Sequence, residues 1–444
     1  MFATDTIRDA LASWVVDAGH RSRACVLDLP ESQWTFEYSR LLTPFDWEFA
    51  HVTWFHERFV LREALGQLPR HSHIDGLYDS SVVPHADRYH LELLPFDDVL
   101  AWDDDVRQRE LAALETADDR FMQLLALAIF HEDMHAEAFT WMRQSLAYPR
   151  PRPTPEFETD KKRARTRARA AASVDVDLDL DLDCDCDLAV DGAVVRVGST
   201  VGFDNELEPH DVLLSSFRIS RRCVDEIEFL AFVEDDGYER DEFWCPEGAS
   251  WKRRADVHAP ATWAKANGGW CVREFDRHRT LSASCPVIHV SWYEASAWCR
   301  WAGRRLPTEH EWEYTASLGD GRRFPWGDAA EPGRSRTGFS VPEGSSFLVA
   351  QEALRTGRSP GGVSQMIGNV WEWTSSVFLP YTGFRPGTYE NYSAPFFGSR
   401  RVLRGGSWCT TLRMLSNSMR NFFEPERRDI FAGFRTCALD HDDS

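Results

Sequence analysis

The sequence contains no apolar run approaching the ~20 residues that a membrane-crossing helix needs. Its first residues, Met1 to Thr6, lack the basic-then-apolar pattern of a secretory signal. The expected setting is therefore cytoplasmic, with reduced thiols. Basic charge is also scarce: 50 Lys and Arg stand against 71 Asp and Glu, a formal net charge of −21. Nucleic acids and anionic membranes both reward basic surfaces, so neither is an expected partner. The 10 cysteines include no C-x-x-C pair. Their one close pair, Cys184 and Cys186, sits in a low-complexity tract, which argues against a zinc knuckle.

What is present is an ordinary globular balance, 43% hydrophobic and 27% charged residues over 444 positions. At ~150 residues per domain this length predicts two or three domains. Tryptophan is plentiful, with 18 residues, most of them after residue 240. Rigid aromatics in that number predict an aromatic-walled core or pocket in the second half.

Apolar residues at three-and-four spacing over Ile7–Val16, Trp47–Leu65 and Arg107–Ser145 predict three or four long helices in a bundle across residues 1–153. Phe121–Met142 carries the strongest helical pattern, and the prolines at 149, 151 and 153 stop it. Residues 154–190 read as a solvated linker. Lys161–Arg169 is basic, and Val174–Asp187 alternates Asp with apolar residues, without the glycine turn and bidentate carboxylate of a calcium loop. From residue 191 to 444, Gly, Pro and Trp punctuate short periods, predicting a loop-rich α+β domain whose good helices are Trp292–Ala302 and Glu309–Ser317.

The string His131-Glu132-Asp133-Met134-His135 lies inside the strongest helix. Residues four apart share a helix face, so both imidazoles can reach one metal ion. It matches the zinc-peptidase pattern, in which the Glu is a general base, and equally suits a non-haem iron site with open positions. A surface or capped pair is the plain alternative. A third ligand is needed, and the second helix offers His51 and His56. His51, between Ala50 and Val52, faces inward as either ligand or core residue, whereas His56, beside Glu57 and Arg58, reads as solvated.

His51 with His131-x-x-x-His135-x-Glu137 resembles the DinB-like four-helix bundle of the ergothioneine-type sulfoxide synthases. The second half resembles the loop-rich, C-type-lectin-like α+β domain of formylglycine-generating enzymes. The strings are Pro286-Val287-Ile288-His289-Val290-Ser291-Trp292, Arg305 to Glu313, Gly368-Asn369-Val370-Trp371-Glu372-Trp373, Arg404-Gly405-Gly406-Ser407, Arg420-Asn421 and Ala432-Gly433-Phe434-Arg435. The resemblance implies an oxidoreductase with Fe(II) held by His51, His131 and His135. It implies use of O2 to join a chalcogen nucleophile to C2 of the imidazole of hercynine (Nα-trimethylhistidine). Three open coordination sites would let O2 and the chalcogen meet, and aromatic faces would attract the trimethylammonium group. By the same resemblance Asn421 holds hercynine, and Tyr389 or Tyr392 donates a proton; a buried phenol of the core is the alternative for each. The paired copper-binding cysteines of formylglycine-generating enzymes are missing, since the next Cys after Cys409 is Cys437.

Three departures bear on the chalcogen donor. Where the γ-glutamylcysteine-using synthases carry two Arg that clamp carboxylates, this chain has His85 and Arg88. Where they carry Trp-Asp it has Phe422 and Phe423, and where they often carry Gln it has Met134. Arg427 joins these as a substrate-binding candidate. Losing an acid and a base together points away from a zwitterionic dipeptide. The strings around Tyr78, His85 to Tyr89, His131 to Ala138 and Asp429 to Arg435 resemble the selenoneine synthase branch, whose donor is a selenosugar. Phe422 and Phe423 then stack on a sugar ring or serve as core. C–S bond formation from γ-glutamylcysteine or cysteine is the alternative, and a non-catalytic binder of quaternary amines is a third reading.

Overall fold

The structure, a computed structural model, describes residues 4–151 and 187–439, apart from 267, 332, 340, 342–344 and 351–352. The Lys161–Arg169 run, the acidic tract as far as Cys186 and both cysteines of the close pair lie outside the described residues. The chain divides into two units, Met1–Arg167 and Ala168–Ser444.

Four long helices make the first unit: α1 (Thr4–Val26), α2 (Phe45–His56), α4 (Phe96–Leu114) and α5 (Asp119–Ser145), with the one-turn α3 (Asp75–Tyr78) between the second and third. α2 is buried almost all round, the mark of a helix threaded through a core. It runs on into a π-helical turn over Glu57–Arg62, so the expected Trp47–Leu65 helix is an α-helix with a π continuation. The Arg107–Ser145 pattern, which reads as one stretch, is two helices. Asp118 breaks it by accepting the N–H of Phe121 at 2.8 Å as the N-cap of α5. Arg143, fully buried near the end of α5, pairs with Asp28 and donates to the Cys25 carbonyl at 3.1 Å, tying α5 to the end of α1.

The second unit holds four small sheets. One has the order β1–β4–β13–β8, from Leu188–Val190, Phe217–Ile219, Cys437–Ala438 and Arg304–Arg305, so strands from both ends of the unit share it. β1 therefore lies inside the segment expected as linker; its Leu and Val continue the alternating tract but pair with β4. A second sheet has the order β11–β10–β9–β12, from Asn421–Phe423, Arg401–Arg404, Trp371–Val377 and Ala432–Gly433. The hairpin β2–β3 (Ala193–Val197, His210–Leu214) and the three-stranded β5–β6–β7 (Trp263–Ala266, Gly269–Glu274, Arg277–Thr280) complete the set. Besides the two expected helices, Trp292–Trp301 and Glu309–Ser317, the unit contains helices Glu226–Glu234 and Pro246–Arg254. The first is opened by a capping box between Asp225 and Glu228.

Trp312, Trp371, Trp373 and Trp408 are fully buried core residues. For these four the aromatic expectation resolves to core, not pocket wall, because their faces are packed inside the domain. Buried cations are matched by acids. Arg420 grips Glu309 at 2.7 and 3.0 Å, Arg404 pairs with Glu313, and Arg435 meets Glu372, which also accepts the Trp312 indole N–H at 2.8 Å. Gly368 opens the strand-entry turn at φ +81°, and a Cβ there would stand 2.3 Å from the Arg336 carbonyl oxygen. Gly368→Ala should therefore lower unfolding free energy by at least ~1–3 kcal/mol, read as an earlier midpoint in chemical denaturation.

Candidate metal centre

His51 comes from α2, and His131 and His135 come from one face of α5. One ring nitrogen from each lies within 4.8 Å of the other two. His131 Nε2 and His135 Nε2 are 3.2 Å apart. Two ligands on one ion, at metal–nitrogen bonds of ~2.0–2.1 Å, stand about 3.0–3.4 Å apart, so the spacing fits a shared cation.

The far sides of the rings decide which nitrogens are bare. His51 Nδ1 is 2.7 Å from the Tyr78 carbonyl oxygen, which can only accept, so the proton is on Nδ1 and Nε2 keeps its lone pair. His135 Nδ1 stands 2.7 Å from Glu48 Oε1, with the same consequence. His51 lies nearly parallel to Trp47 (5.2 Å between centroids, 8°) and to Trp54 (5.6 Å, 22°), and His131 stacks on Phe55 at 3.7 Å. Burial, reinforced by neighbouring His135, holds His51 well below the usual imidazole range. Burial with His135 and His51 does the same for His131. Neutral imidazoles with converging lone pairs are what Fe(II), Zn(II) and similar ions take, and Fe(II) fits this donor set.

Glu132 turns the other way. Its carboxylate is fully buried and forked onto Arg107 (2.6 and 3.1 Å), with His56 Nε2 at 3.3 Å. Burial alone would raise its pKa, but Arg107 and His56 hold it well below the carboxylate range. The peptidase general-base reading is thereby excluded. His56, expected as solvated, is a core residue: Glu110 lies 2.8 Å from its Nδ1. Its sequence neighbours are charged, yet the partners that bury it come from distant helices. Burial opposes its charge, but Glu110 and Glu132 overcome this and push its pKa up to about 10.

His85 and Arg88 flank the bundle. His85 Nε2 lies 2.9 Å from the Ser39 carbonyl, and burial together with Arg88 lowers its pKa. Arg88 donates to the Ser80 and Val83 carbonyls at 3.3 Å and lies over the Trp47 ring at 4.2 Å, so it is one aromatic layer from His51. It also lines a cleft of about 680 Å3 with Trp34, Asp46, Tyr89 and Phe96. Met134 is half-buried on α5 beside His135.

In the second unit Asn421, Phe422 and Phe423 form β11, in register with Leu403, Val402 and Arg401. Phe422 stacks on Phe378 at 4.0 Å and meets Tyr392 edge-on at 5.7 Å, and Tyr389 lies 6.3 Å from Tyr392. Asn421 Oδ1 accepts the Phe422 N–H at 2.8 Å. Arg427 lies over Phe423 at 4.9 Å and is forked onto Asp429 at 2.6 Å. Burial, then the Glu206 and Asp204 carboxylates, pushes the Tyr392 phenol well above its usual range. The candidates thus form two groups, one in each unit. Glu48 was missed, although its position three residues before His51 on one helix was a usable signal.

Comparison with known proteins places both units of the chain among relatives. The Sulfatase-modifying factor enzyme 1-like domain family matches residues 181–439. The formylglycine-generating enzyme of Streptomyces coelicolor is 34% identical over 54% of this chain and 83% of its own length. Fold and site together thus define an oxidoreductase that joins a helical, histidine-bearing unit to a sulfatase-modifying-factor-like domain. The hercynine oxygenase of Mycolicibacterium smegmatis is 34% identical over 98% of this chain and 99% of its own. That of Mycobacterium tuberculosis is 38% identical over 94% and 96%. The chain belongs to the hercynine oxygenase family.

Two outcomes follow from the buried charges. Glu132→Gln should leave metal content unchanged but lower stability by ~3 kcal/mol, because Arg107 and His56 lose a buried partner; elemental analysis and urea unfolding check this. His56 titrates near 6.5 when unfolded and near about 10 when folded, so its contribution is complete below pH 6.5 and lost as pH rises toward 10. Unfolding free energy should fall across that window, and His56→Gln should flatten the slope.

Proposed function

We propose that this enzyme uses Fe(II) and O2 to join a selenosugar selenol to C2 of the hercynine imidazole, with His51, His131 and His135 as the iron ligands. The convergence of these three histidines on one point, beside the 34–38% identity to hercynine oxygenases over nearly the whole chain, carries the reading. The helical unit is read as a DinB-like bundle. When bound, Fe(II) supplies activation of O2. Overall, C2–H and Se–H are lost and a C–Se bond forms. O2 takes up four electrons, two from this coupling and two from oxidation of selenium to the selenoxide, and one oxygen leaves as water.

This chain's own residues bind the substrates and handle the proton. Asn421 and the half-buried aromatics around it are assigned to hercynine. Tyr392 is assigned as the proton donor in preference to Tyr389 because it meets Phe422, the strand neighbour of Asn421. The charged groups support a donor poor in carboxylates. His85 spends Nε2 on the Ser39 carbonyl and is held toward its neutral form. Arg88 serves two carbonyls, Arg427 is forked onto Asp429, and Phe422 and Phe423 bring no charge. Met134, beside His135, offers the donor a soft apolar contact. C–S bond formation remains the second reading, because Arg88 still provides one guanidinium for a donor carboxylate.

The Fe(II)-loaded protein incubated with hercynine, O2 and each donor separately should form C–Se product from the selenosugar. Efficient turnover with γ-glutamylcysteine or cysteine and none with the selenosugar would overturn the selenium assignment. Tyr392→Phe should lower kcat by ~10²–10⁴, while Tyr389→Phe changes it far less.

A further inference from the structure

Glu48 is a carboxylate buried in the core of the first unit, and its side chain meets a single hydrogen-bond partner among the described residues, His135 Nδ1 at 2.7 Å. The guanidinium groups of Arg107, Arg21 and Arg143 are taken by Glu132, Asp133 and Asp28, and Arg88 donates to the Ser80 and Val83 carbonyls. A buried carboxylate without a countercharge costs several kcal/mol, and an imidazole that gives its other nitrogen to a metal is a neutral ligand. An ion held by the three histidines would bring positive charge to the far side of the His135 ring from Glu48. The three histidines are also not equivalent, since His51 is held by a neutral carbonyl and His135 by a carboxylate.

We infer that Glu48 is a positioning residue of the metal centre: it fixes His135 with the proton on Nδ1 and Nε2 toward the ion, and it balances part of the ion's charge. The role rests on reading the three histidines as a metal site. α2 thereby contributes twice, with His51 as a ligand and Glu48, three residues earlier on the same face, orienting a ligand from α5. Outer carboxylate partners of this kind raise ligand basicity, and their loss typically weakens metal binding 10–100-fold. Selection between divalent ions and retention of the ion would then depend on a residue that never touches it.

The test titrates metal-free full-length protein with Co(II), a visible stand-in for Fe(II), following the ligand-field bands and competing with a chelator. Glu48→Ala should weaken Co(II) binding 10–100-fold and shift the bands. Glu48→Gln keeps an acceptor for the Nδ1 proton, so it should restore the wild-type bands while binding more weakly than wild type. Metal-free melting midpoints close to wild type in Glu48→Gln separate this from a packing defect. If wild type takes up no Co(II), or His135→Ala binds it as well as wild type, the metal-site reading itself fails. If those controls behave but both Glu48 variants bind within about twofold of wild type with unchanged bands, Glu48 has no such role. Should neither variant fold, ¹⁵N-histidine-labelled wild type loaded with Zn(II) decides: a proton on His135 Nδ1 is required, and metal on that nitrogen overturns the assignment.

Discussion

Three imidazoles must show bare nitrogens to one point inside an apolar bundle, and most of the first unit is arranged around that demand. Which nitrogen of a neutral imidazole stays bare is fixed where the other has an acceptor and the ring cannot turn. The Tyr78 carbonyl and Glu48 supply acceptors, while Trp47, Trp54 and Phe55 restrain the rings. The acids and bases left over are kept from the centre by pairing with one another. Glu132 and Glu110 hold His56, and Arg107 closes the group. What resembles a peptidase motif in the sequence is thus a histidine pair converging with His51, with a structural glutamate between them.

The second unit meets a different constraint. Its strands are short and its loops long, so regular backbone pairing alone supplies little cohesion. Buried Arg–Glu pairs take that part, joining helix Glu309–Ser317 to the strands through Arg420 and Arg404, and the C-terminal Arg435 to Glu372 on β9. These residues are the ones the sequence strings repeat, so those strings report the internal scaffold more than the substrate-facing surface. Phe422 shows the overlap, since it packs on Phe378 and still borders Tyr392.

What could be read in advance follows the distance over which each interaction acts. The His131 and His135 pair is local, one helical turn, and was legible at once; that His51 converges on it was suggested only by the resemblance. His56 was misjudged because its environment is made by Glu110 and Glu132, far along the chain. The break between α4 and α5 was hidden because apolar spacing persists on both sides of Asp118. Helices Glu226–Glu234 and Pro246–Arg254 were too short for periodicity, though the Asp225–Glu228 capping box marked the first. The group formed by Tyr389, Tyr392 and Phe422 depends on loop closure that no spacing encodes.

The stacking of His51 between Trp47 and Trp54 also gives the bundle an optical property. An open-shell ion bound to that ring, as proposed, would sit within quenching range of two indoles. Loading the proposed centre would then dim part of the protein's own near-ultraviolet emission, without any added label.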